Sequence, residues 1–98
     1  MSGVRIVGGK SDAQPISSQT HSLVQEMKTH ILSKANLSSS HSVFEPVSER
    51  KQVVAGINHF VKIHIGDDKY IHATIWQKPD QSKEVTHVRT DKSKDDEL

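Results

Sequence analysis

One stretch of this 98-residue chain repeats its apolar residues at helical spacing, and that limits the fold more than anything else in it. Leu23, Met27 and Ile31 fall at i, i+4 and i+8 with Val24 beside them, while Gln25, Glu26 and Lys28 lie off the stripe. Pro15 disfavours helix just before it and Ser17 is a suitable N-cap, so the pattern predicts a helix from about Ser18 to Lys34. Asn36 and Ser38-Ser39-Ser40 form a polar linker, and the remainder of the chain reads as strand. Val43 to Val54 is one strand, with Pro46 marking a bulge or an edge. From His59 to Ile65 the sequence alternates, putting Val61, Ile63 and Ile65 on one face; Gly66-Asp67-Asp68-Lys69 supplies a hairpin turn. On the return, Ile71, Ala73 and Ile75 share a face while His72 and Thr74 point away, and a last strand spans Glu84 to Arg89. A meander with one apolar face needs a cover. The single amphipathic helix is that cover, which makes the chain α+β.

Ninety-eight residues suit one small domain, and with a third of them hydrophobic the core is modest. The chain has no cysteine, so no disulfide supports it and a reducing compartment is expected. A net charge of +1 and four aromatic residues give no case for nucleic acid. No run approaches the ~20 apolar residues of a membrane span, and the first residues lack the apolar stretch of a signal peptide. The expectation is a cytoplasmic protein with no membrane partner. The closing Asp95-Asp96-Glu97-Leu98 looks like a retention signal for the endoplasmic reticulum, yet retention requires an entry signal.

The search for chemistry turns on seven histidines. None forms an HExxH or a histidine–carboxylate array with ligand spacing. His64 and His72 flank the Gly66–Lys69 turn, but two histidines make an incomplete zinc site, and exposed strand histidines are the better account. No cofactor, metal or enzymatic activity is expected. The segment Gln52-Val53-Val54-Ala55-Gly56 says more. Its small and β-branched residues ending in Gly suit a tight apolar hairpin tip, although a strand end with a bend after it fits the spacing equally well. A rigid tip of this kind loses little entropy when pressed into another protein's cleft.

That string resembles the first hairpin loop of the cystatin superfamily, the reversible inhibitors of papain-like cysteine proteases. Arg5-Ile6-Val7-Gly8-Gly9 is similar to the cystatin N-terminal trunk, Ile57 to Asp67 to the stefin strand and turn after the loop, and Asp91 to Leu98 to the stefin tail. The likeness covers nearly the whole chain in the family's order. It implies the cystatin fold, an antiparallel sheet wrapped around one long helix, in a single domain with a mobile trunk at about residues 1–12. It also implies a wedge that fills a protease cleft on both sides of the catalytic cysteine. Ile6 and Val7 would occupy unprimed subsites, Gly8 would let the backbone pass the catalytic centre, and Val53, Val54 and Ala55 would fill the primed side with Gly56 shaping the bend; Gly9 and Gln52 complete the protease-binding set. The second hairpin departs from the pattern. Stefins usually have Leu-Pro there and secreted cystatins Pro-Trp, whereas this chain has Gln77-Lys78-Pro79-Asp80. Pro79 can still stiffen that tip, but Lys78 puts a charge where an apolar contact is expected. Trp76 is expected to end a strand and pack there.

The resemblance therefore leads to a competitive, tight-binding inhibitor of papain-like proteases such as cathepsins. The competing reading is a cystatin-fold binding module that no longer inhibits, favoured by Lys78. A monomer is expected, and β-branched Val53 and Val54 in a tight turn suggest a route to a domain-swapped dimer.

Overall fold

The computed structural model describes residues 12–37 and 43–98. In chain order the elements are β1 (Gln14–Pro15), α1 (Ser18–Glu26), α2 (Lys28–Lys34), β2 (Glu45–Val54), β3 (Gly56–Gly66), β4 (Lys69–Gln77) and β5 (Lys83–Lys92). The strands form one sheet in the order β1-β2-β3-β4-β5, each antiparallel to its neighbour. This is the α+β arrangement expected, with strand limits differing by a few residues. Pro46 does mark a bulge: the β2–β3 register shifts between Pro46 and Ser48.

The helix is not one uninterrupted segment. Met27, at φ −95° and ψ 8°, leaves helical geometry and divides α1 from α2. The ladder nevertheless continues through it, since Met27 N–H donates to Leu23 O at 3.1 Å and Ile31 N–H to Met27 O at 2.9 Å. The apolar stripe stays aligned for that reason, and Leu23, Val24, Met27, Ile31 and Leu32 are all buried. They pack on the inner face of the sheet against Val61, Ile63, Ile71, Ala73, Ile75 and Val85, with Phe44 closing one side.

The start of α1 is tied to the sheet by a carboxylate. Ser17 Oγ accepts from Thr20 N–H at 3.2 Å, the N-cap expected. Glu49 on β2 then accepts from Ser17 N–H at 2.7 Å and from the Thr20 hydroxyl at 2.6 Å. Glu49 is only 4% exposed. Burial raises its pKa, but the bonds from Thr20 and Ser17, aided by Lys51, outweigh that and hold it below the ordinary value.

The outer face holds the main correction. His72 does not point into solvent: it is 9% exposed, as is its cross-strand partner Lys62, because the residues after β5 fold back across them. Lys62 Nζ donates to Lys94 O at 2.6 Å. His59 is buried too, on the inner face beside α1, with Nε2 against Gln77 Oε1 at 3.0 Å. Exposed strand histidines therefore describe neither His59 nor His72. Nor are His64 and His72 paired across the hairpin: His64 faces Tyr70, with ring centroids 4.9 Å apart. Among the described residues no three side chains are grouped to hold a metal, and no helix is long and apolar enough to cross a membrane.

Candidate functional site

The antiparallel register brings two hairpin ends together. Val53 pairs with Ile57 and Val54 with Gly56, so Ala55 alone turns the chain between β2 and β3. Ile57 in turn pairs with Gln77, which sets the end of β4, and with it the start of the second hairpin, against the first. Gly56 makes that proximity feasible. Its φ is +90°, and a β-carbon there would collide with the carbonyl oxygen of Gln77 while lying 3.2 Å from the carbonyl carbons of Gln77 and Lys78. Only glycine satisfies both conditions.

The first tip is apolar and exposed. Val53 is 66% and Val54 37% exposed, against complete burial of Val24 and Val61 elsewhere in the chain. Its backbone is nevertheless braced. Trp76 Nε1 donates to Ala55 O at 2.8 Å, anchoring the turn residue to β4. Gln52, one step back along β2, accepts from Asn58 Nδ2 at 3.2 Å across the strand pair. Two valines are thus held out on a frame that hydrogen bonds and a glycine contact restrain.

The second hairpin runs from Lys78 to Ser82. Lys78 N–H donates to Ser82 O at 2.8 Å and Gln81 N–H to Lys78 O at 2.9 Å, with Gln81 at φ +76°. Asp80 ties the loop internally, accepting from Ser82 N–H at 2.9 Å and from its hydroxyl at 2.6 Å. Those bonds hold the Asp80 carboxyl below the ordinary carboxylate range. Pro79 is exposed at the tip. Lys78 does not simply project its charge, because Nζ lies 3.2 Å from Glu84 Oε1 and 5.4 Å from the centre of the Trp76 ring. The pair is part-exposed, and the ring supplies a modest cation–π attraction.

Of the residues singled out from sequence, Gln52, Val53, Val54, Ala55, Gly56, Lys78 and Pro79 thus sit on adjoining hairpins at one end of the sheet. Ile6, Val7, Gly8 and Gly9 lie outside the described residues. Sequence reasoning missed two supporting residues. Trp76 was expected only to pack, but its indole N–H braces the first tip. Glu84, read only as the start of the last strand, partners Lys78. The alternation of β4 could have placed Trp76 on the outer face with Asn58; no local signal links Glu84 to Lys78.

A braced, exposed apolar edge on an antiparallel sheet that packs two short helices is a surface suited to contact with another protein. The chain belongs to the cystatin family: the cystatin domain model matches residues 8–95. It is 35% identical to cystatin-B of Pan troglodytes over 94 residues, 93% of this chain and 94% of that protein. The same identity holds to cystatin-A1 of Sus scrofa, covering 93% of this chain and 89% of the relative, and to cystatin-A of Felis catus, covering 95% and 96%. These are cystatins of the stefin type, in line with the resemblance drawn from the sequence. Cystatins are inhibitors rather than enzymes, and membership gives this chain a cysteine protease inhibitor role, with cysteine proteases as its partners.

Proposed function

We propose that this chain is a reversible, competitive, tight-binding inhibitor of papain-like proteases of the cathepsin type, acting as a cytoplasmic monomer. The exposure of Val53 on a braced hairpin carries the reading: two-thirds of that side chain is in water at the end of a frame fixed by Gly56 and Trp76. An apolar anchor already held in place gains from desolvation in a cleft without a large ordering cost. Val53, Val54 and Ala55 fill the primed side, with Gly56 shaping the bend and Gln52 steadying its flank. Pro79 and the stem of Lys78 form the adjoining contact.

Ile6 and Val7 take the unprimed side, and Gly8 and Gly9 pass the catalytic centre without a side chain. The antiparallel pairing of Gln14 with Glu49 supports this, since β1 runs away from the hairpin end of β2. The inhibitor performs no chemistry; it excludes substrate. In a titration of papain, stoichiometric inhibition relieved by excess substrate is expected, and deletion of residues 1–8 should weaken it chiefly through faster dissociation. No inhibition at micromolar protein would refute the reading. A non-inhibitory binding module is the second reading, favoured by the charge at Lys78, and that same null result would support it. The tight turn at Ala55 also gives a domain-swapped dimer a hinge, which refolding and then size-exclusion chromatography would reveal.

A further inference from the structure

Cross-strand partners project from the same face of a sheet, so the register sorts the outer face into rows. One row is Ser48, Lys62, His72 and Arg89; the next is Arg50, Phe60, Thr74 and His87. These rows hold three Lys or Arg side chains and two histidines and contain no acid. The acids nearest these rows are Asp96 and Glu97, in the segment after β5. A chain with a net charge of only +1 has concentrated cations on one surface.

The residues after β5 partly roof that surface. Lys94 O takes the Lys62 ammonium, and beyond it Glu97 and Leu98 form one wall of a cavity of about 380 Å³. His72, His87, Arg89 and Lys92 line the rest, with Phe60 at its margin. Although Asp96 lies close enough to Lys92 to feel its charge, among the described residues neither Arg89 nor Lys92 forms an ion pair. His72 Nε2 is buried there without a hydrogen-bond partner, in a side chain only 9% exposed. Burial first, then Lys62, Lys92 and Arg89, keeps His72 neutral well below its usual range, with Asp96 the opposing charge. The buried nitrogen lacks the partner that such groups normally have.

We propose that this cavity is an oxyanion site, taking the phosphate or sulfate group of a small ester between Arg89, Lys92 and His72 under the cover of residues 94–98. A guanidinium fork matches two oxygens of such a group, the Lys92 ammonium supplies a point charge, and His72 Nε2–H donates to a third oxygen. The volume exceeds what a bare ion needs and falls within the about 300–1,000 Å³ of small-ligand sites, leaving room for an organic portion against Phe60. His72 stands five residues from Gln77 along β4, about 16 Å, so a ligand here leaves the hairpin tips clear.

The test is a titration of the full-length, ¹⁵N-labelled chain at low ionic strength. The probes are inorganic phosphate, glycerol 3-phosphate, and phosphatidylcholine vesicles doped with phosphatidic acid. Saturable shifts confined to His72, Arg89, Lys92 and residues 94–98 are expected. Saturation by glycerol 3-phosphate identifies a soluble ester, and saturation by vesicles alone identifies a lipid headgroup; either supports the site. The Arg89→Gln/Lys92→Gln double variant should bind about tenfold or more weakly. Glu97→Gln, altering an exposed tail residue, should bind more tightly, which keeps the test decisive if the double variant folds poorly. Shifts that fail to saturate and spread over the lysines of α2, or equal affinity in all three proteins, would overturn the proposal.

Discussion

Gly56→Ala tests the architecture of the hairpin edge more directly than any other single change. Two costs combine. The residue sits at φ +90°, where an L side chain clashes with its own backbone at about 1–2 kcal/mol. The new methyl also collides with the Gln77 carbonyl oxygen, a backbone atom fixed by the Ile57–Gln77 pairing, so it cannot simply rotate away. Overpacking of that kind costs about 1–3 kcal/mol. Lost freedom in the unfolded chain returns about 0.4–1 kcal/mol. The net loss expected is about 1–4.5 kcal/mol, measurable as a fall in Tm of roughly 5–35 °C for a domain of this size. Urea unfolding monitored by Trp76 fluorescence gives the free energy directly. A variant within about 0.5 kcal/mol of the parent would refute the claim that glycine is required by this close approach. The same variant should inhibit papain less well even where it is fully folded, because the two tips must separate to admit the methyl group.

Val53→Ala should do the opposite, leaving the urea midpoint within about 0.5 kcal/mol because the side chain is exposed, while weakening papain inhibition about tenfold or more. Glu49→Ala removes the acceptor for both Ser17 N–H and the Thr20 hydroxyl, and should cost about 2–4 kcal/mol by urea titration. His72, with a pKa of about 4 in the folded chain against 6.5 unfolded, takes up its proton more readily when unfolded. Stability is therefore complete above pH 6.5 and declines as pH falls towards 4, by at most ~3 kcal/mol, and His72→Gln should flatten that decline in urea titrations across the window. Glu49, held below 4.5, adds a loss at still lower pH, as pH falls through its folded pKa. Lys78→Met should shift stability by less than about 1 kcal/mol, since its ion pair is part-exposed, and tighten papain inhibition; weakened inhibition would mean that the ammonium itself contacts the protease.

The core was legible because burial on one face leaves a periodic trace. Leu23, Met27 and Ile31 announce a helix, and Val61, Ile63, Ile71, Ala73 and Ile75 announce two strands turned towards it. The break at Met27 escaped, since a residue with ordinary helix propensity carries no sign of a ψ angle set by its surroundings. The exposed tip was legible for a different reason. A small apolar string ending in glycine is unusual where a strand should turn, and it matches a known loop.

The outer face was not legible, and the reason is general. Alternation predicts which way His72 points, but burial of that face depends on a segment some twenty residues later in the chain folding back over it. The same holds for Lys78. Read alone, it places a charge on a binding edge; read with Glu84 and Trp76, it is a charge with local partners. Both misreadings are corrected by contacts between residues that no period connects. The outer face consequently divides by row. Gln52, Asn58, Trp76 and Glu84 lie across the end that braces the tips, while Lys62 and Arg89 place positive charge on either side of His72 nearer the middle. Pairing Lys78 with Glu84 at the first end leaves the second as the place where positive charge is uncompensated by ion pairs. A near-neutral chain can thus carry an apolar edge for a protein cleft and a cationic hollow for an oxyanion, with the register of β3, β4 and β5 keeping the two apart.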